Sequence, residues 1–145
     1  MNGIEMRREK LPVTLFIRGE QYFDDVDPDA TELVTEGTLE LMEEGLRLTY
    51  QETSLTGMEG TTTTFEITGP QVTLRRAGTV NSQMVFEEGR QHTSLYETPY
   101  GELSVDIQTS ALRHNLSDRG GLLEIRYSIA AVSYTHLTLP TNSRV

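Results

Sequence analysis

Leu39-Glu-Leu-Met-Glu-Glu-Gly-Leu-Arg-Leu-Thr-Tyr50 decides the fold class of this chain. Leu39 and Leu41 alternate with polar neighbours, Glu43-Glu-Gly45 supplies a turn, and Leu46, Leu48 and Tyr50 alternate again. A period of two places every second side chain on one face of a strand, whereas a helix would need apolar residues three and four apart. The stretch therefore predicts a hairpin with one buried face. The same period extends in both directions. Val13, Leu15 and Ile17 share a face upstream, and Leu33 joins Leu39 and Leu41. Downstream, Phe65 and Ile67 follow a β-branched run from Thr61 to Thr64, and Gly69-Pro70 ends that strand. Val72 with Leu74, Met84 with Phe86, then Leu103, Val105 and Ile107, and finally Leu123, Ile125, Tyr127 and Ile129 repeat the pattern. Residues 91 to 98 form a weaker strand with no assignable inward face, and Leu112 to Leu116 is either a short strand or a continuation. About eight to ten antiparallel strands joined by short turns predict an all-β, up-and-down barrel. Closure would remove the exposed edges that so many strands create.

The chain of 145 residues has room for one domain. Its 22 acidic and 12 basic side chains give a net charge of -10, which repels a nucleic-acid backbone or an anionic membrane at long range. Neither is an expected partner. Without cysteine there is no disulfide framework, thiol nucleophile or thiolate metal site. No apolar run approaches the roughly 20 residues of a membrane span. Arg7, Arg8 and Lys10 precede Leu11 to Ile17 in signal-peptide order, but Pro12 and Thr14 interrupt the run and Arg18 ends it without a cleavage site. It reads as a first strand, in a protein expected in the cytoplasm. The expected organisation is an extension over 1–10, a barrel over 11–131 and a tail over 132–145.

Val132-Ser-Tyr-Thr-His-Leu-Thr-Leu-Pro-Thr141 loses the alternation and resembles one reading frame of a common transposase sequencing adapter. The tail is accordingly expected to be non-native, with the final strand missing or replaced. Elsewhere, Tyr50-Gln-Glu-Thr-Ser-Leu-Thr-Gly-Met-Glu-Gly-Thr-Thr-Thr-Thr64, Arg76-Ala-Gly-Thr-Val-Asn-Ser-Gln-Met-Val-Phe86, Tyr96-Glu-Thr-Pro-Tyr-Gly101 and Val13-Thr-Leu-Phe-Ile-Arg-Gly19 resemble the YwiB-like family of uncharacterised bacterial proteins. The resemblance extends from about residue 11 to Ala130. It implies a calycin-like, lipocalin-type barrel and offers no catalytic residues.

In a meander, successive connections alternate between two ends. The loops around 22–30, 54–60, 77–82 and 98–101 fall at one end, and the turns at 43–45, 69–70 and 88–90 at the other. The distinctive segments converge on the first end, where a small barrel admits a ligand. Parity turns Glu52 inward with Leu46, Leu48 and Tyr50, and Arg76 inward with Val72 and Leu74. A carboxylate and a guanidinium meeting there can orient a ligand or simply seal the barrel. Glu59, Asn81, Tyr96 and Tyr100 complete the expected ligand-binding group with Glu52 and Arg76. The loop glycines Gly57, Gly60, Gly78 and Gly101 are equally explained as turn residues.

Other groupings are weaker. Asp25, Asp27 and Asp29 have calcium-loop spacing with Glu36 beyond them, but Ala30 replaces the required glycine and Pro28 stiffens the loop. His92 and His114 lack partners at metal-ligand spacing. Glu52 and Glu59 could be imagined as a glycosidase pair, yet nothing sets their separation. The resulting expectation is a small-molecule-binding barrel without catalytic residues, metal or cofactor. The alternative is a structural or protein-interaction barrel whose core is filled.

Overall fold

The computed structural model describes residues 9–21, 29–98 and 101–134. They form nine strands: β1 (Glu9–Gln21), β2 (Asp29–Met42), β3 (Gly45–Gln51), β4 (Thr62–Thr68), β5 (Gln71–Ala77), β6 (Ser82–Glu87), β7 (Gln91–Thr98), β8 (Gly101–His114) and β9 (Leu123–Tyr134). Each pairs antiparallel with the next, in a single sheet ordered β1 to β9. The predicted all-β up-and-down order is therefore present. Closure is not: among the described residues β1 pairs with β2 and β9 with β8, leaving both outer edges open. The register of a meander links only neighbours, and joining the first strand to the last needs a further pairing that these strands do not make.

Register follows from the alternation. Leu39, Leu48, Phe65, Leu74 and Met84 line up across five strands, and Leu41, Leu46, Ile67, Val72 and Phe86 form the adjacent row. Both rows face inward. The sheet coils so that this face meets β8, and Ile67, Val72, Leu74, Met84, Phe86, Leu103, Val105 and Ile107 make the core. Phe86 on β6 reaches Tyr127 on β9, with ring centroids 4.8 Å apart. Such aromatic contact between non-adjacent strands is possible only because the sheet wraps over itself.

β7 pairs His92 with Ile107, Ser94 with Val105 and Tyr96 with Leu103. Its inward face is thus the even-numbered one, with Ser94 buried. A small inward hydroxyl residue beside the apolar but outward-facing Leu95 hides this face from hydropathy. Register shifts between Ser104 and Val105 and between Thr109 and Ala111 mark irregularities in β8, which continues to His114. Most of the 112–116 segment is therefore continuation, not a separate strand. β9 maintains pairing to Tyr134, past the expected boundary at 131.

Candidate functional site

A third inward row lies beyond the two apolar ones. It runs through Gly37, Tyr50, Thr63, Arg76, Ser82, Tyr96 and Leu103 in consecutive register on β2 to β8. This row carries the hydroxyls and the guanidinium that parity directs inward, so the buried face becomes polar at one end. Glu52 follows β3 and retains its inward parity. Its backbone N–H donates to the Thr61 carbonyl at 2.9 Å, closing the loop between them.

The Glu52 side chain is 1% exposed. Its Oε1 accepts from the Thr56 hydroxyl at 2.9 Å, and its Oε2 accepts a short hydrogen bond from the buried Thr63 hydroxyl. Burial first, and the neighbouring Glu52 charge second, push the Tyr50 phenol up to about 12. Arg76 is 18% exposed, and its Nε lies 3.9 Å from Glu52 Oε2. That separation gives Coulombic attraction without a hydrogen bond. Arg76 Nε and the hydroxyl of Ser82, its register partner, are buried and have no hydrogen-bond partner. Buried donors of this kind are uncommon because each loses its water contacts without replacement.

The loops knit together at the same end. The Thr79 hydroxyl donates to the Glu59 carbonyl at 2.9 Å, and the Val80 N–H donates to the Thr61 hydroxyl at 3.1 Å. Asn81 spends its side chain locally, accepting from the Gly78 N–H and donating to the Gly78 carbonyl, each at 3.1 Å. Its own carbonyl accepts from the Glu97 N–H at 3.3 Å, bringing in β7. Glu52 and Arg76 thus meet directly, with the Glu59 and Asn81 loops beside them. Glu59 is exposed. Tyr96 occupies the polar row by register, and its side chain is outside the described residues, as are Tyr100, Asp25 and Asp27. Sequence reading missed Thr56, Thr61, Thr63 and Ser82. For Thr63 and Ser82 the signal was available, since each shares inward parity with the apolar residues of its strand.

Two surface depressions of about 420 Å³ lie elsewhere. One crosses the outer face of β1 to β5, where Arg47 donates from Nε and Nη2 to Glu66 at 3.0 and 2.8 Å. Burial pushes the Glu66 carboxyl upward, but hydrogen bonds and charge from Arg47 and Arg75 outweigh this and hold it below its ordinary value. The other lies at the opposite end, between Gly69-Pro70 and Leu112 to His114. Beside it Glu87 holds Gln71 at 2.9 Å and His92 at 3.2 Å. Arg47, Glu66 and Arg75 in the first, and Glu87 with His92 beside the second, already pair with one another. Among the described residues, no three His, Asp or Glu side chains converge as a metal would require, and no helix is long and apolar enough to cross a membrane.

An open antiparallel meander, apolar along its buried face and polar at one end, defines a single-sheet β domain. The chain belongs to the family described as domain of unknown function DUF1934, whose pattern matches residues 16–136. The crystal structure of the ywiB protein from Bacillus subtilis is similar to it with a TM-score of 0.74 and 22% identity, covering 83% of this chain and 82% of that one. This likeness supports the all-β antiparallel fold of a YwiB-like domain and carries no activity. Comparison with curated proteins found no match.

Proposed function

We propose that this domain binds a small molecule, in the cytoplasm, at the polar end of its buried face, and that it does so without catalysis. One observation carries the reading: Arg76 Nε and Ser82 Oγ stand in register, buried and unpartnered, beside a Glu52 already held by two hydroxyls. A ligand oxygen accepting from both donors would recover the hydrogen bonds they forgo. The knitted 53–60 and 78–81 loops supply a stable rim.

Thermal unfolding against a panel of polar metabolites tests this. A ligand at a hundredfold excess over its Kd stabilises by about 2.7 kcal/mol, a shift on the order of 5–10 °C for a domain of this size. The expected result is stabilisation by at least one compound, lost in Ser82→Ala while that variant unfolds cooperatively. A panel without effect, or an effect unchanged in Ser82→Ala, overturns the reading.

A second reading, an interaction domain with a filled core, draws on Phe16 and Val34. These face each other across β1 and β2, and they are 65% and 62% exposed. On this reading the Glu52–Arg76 pair only seals the sheet.

A further inference from the structure

We propose that the ligand of the polar end is a zwitterion of the α-amino-acid type, an inference that rests on the binding site proposed above. It names the ligand class from the groups left unspent there. Arg76 offers a guanidinium whose buried Nε has no hydrogen-bond partner, and Ser82 offers a hydroxyl in the same state. Both suit the oxygens of a carboxylate, which a guanidinium recognises through parallel N–H groups.

The third unspent group is Glu59. Its side chain is exposed and makes no hydrogen bond or ion pair among the described residues. Its backbone is held over the same end by the Thr79 hydroxyl, and Gly60 packs against Gly78, two residues beyond Arg76. A carboxylate is thus carried on a fixed loop at the same end of the sheet as the donors.

Charge balance selects between ligand classes. Glu52, Glu59 and Arg76 bring two negative charges and one positive to this end. A simple anion would add a third negative charge beside the Glu52 carboxylate, in a chain of net charge -10. A simple cation would leave the Arg76 and Ser82 donors unanswered. A zwitterion adds no net charge, presenting its carboxylate to Arg76 and Ser82 and its ammonium to Glu59.

Isothermal titration with the twenty free α-amino acids, each beside its N-acetyl and its amide derivative, tests the assignment. The expected result is that at least one free amino acid binds tenfold or more tightly than either derivative. Glu59→Gln, which removes only an exposed and unbonded carboxylate, should bring the free acid down to its N-acetyl form. Ser82→Ala should weaken both forms. If N-acetyl acids bind as tightly as free ones, the site stands and the zwitterion falls. If no free amino acid binds, the zwitterion also falls, and the metabolite panel then decides whether the site itself survives.

Discussion

Tyr50 sits where the apolar rows give way to the polar one, 6% exposed and next to the Glu52 carboxylate. Its phenol is raised from 10.0 to about 12, first by burial and then by that charge. Between these values the folded protein retains a proton that the unfolded chain releases. The stabilising contribution is therefore complete below pH 10 and is lost as pH rises through 12. At about 1.4 kcal/mol per pKa unit, the loss is roughly 2–3 kcal/mol. Ultraviolet titration should show a late tyrosinate phase that Tyr50→Phe abolishes. A late phase that survives in Tyr50→Phe would contradict this assignment. Glu52 and Arg76 were legible in sequence because strand parity propagates a known inward face by simple counting. Their exact separation was not, because 3.9 Å depends on how two strands twist past the one between them.

Gly78 joins two elements that are distant in sequence. Its φ of 137° lies in a region side chains rarely adopt. A β-carbon there would stand 2.2 Å from the Gly60 carbonyl oxygen and 2.9 Å from Thr61 Cα. Gly78→Ala should therefore cost about 1–3 kcal/mol, read as a lower denaturant midpoint, and should part the 53–60 loop from the 78–81 loop. Gly57 also has positive φ, but nothing lies within 4 Å of its added β-carbon, so Gly57→Ala should cost less. Equal losses would show that backbone strain alone, not the close approach of two loops, governs Gly78. Sequence patterning located these loops at one end through the alternation of hairpins. It left β7 unassigned because His92 and Ser94 give no apolar mark to the face they turn inward.

Among the described residues the sheet presents two unpaired outer edges, at β1 and β9. β1 also joins β2 in placing Phe16 and Val34 on the outer surface. Free backbone groups beside exposed apolar side chains favour edge-to-edge pairing. Sedimentation should show self-association rising with protein concentration, and Phe16→Lys should reduce it by placing charge beside the open edge. A monomer at all concentrations, with Phe16→Lys indistinguishable, would mean that the exposed pair drives no association.

The fold class, the order of strands and the inward direction of Glu52 and Arg76 were set by local alternation, since a strand's two faces follow from chain geometry whatever lies opposite. An open sheet in place of a closed barrel, the wrapping that brings Phe86 to Tyr127, and the unpartnered state of Arg76 Nε and Ser82 Oγ depend on coiling and register summed over many strands. Those are non-local quantities: a small twist at each pairing accumulates across the sheet, and only the folded chain fixes where the accumulated rotation brings two side chains together.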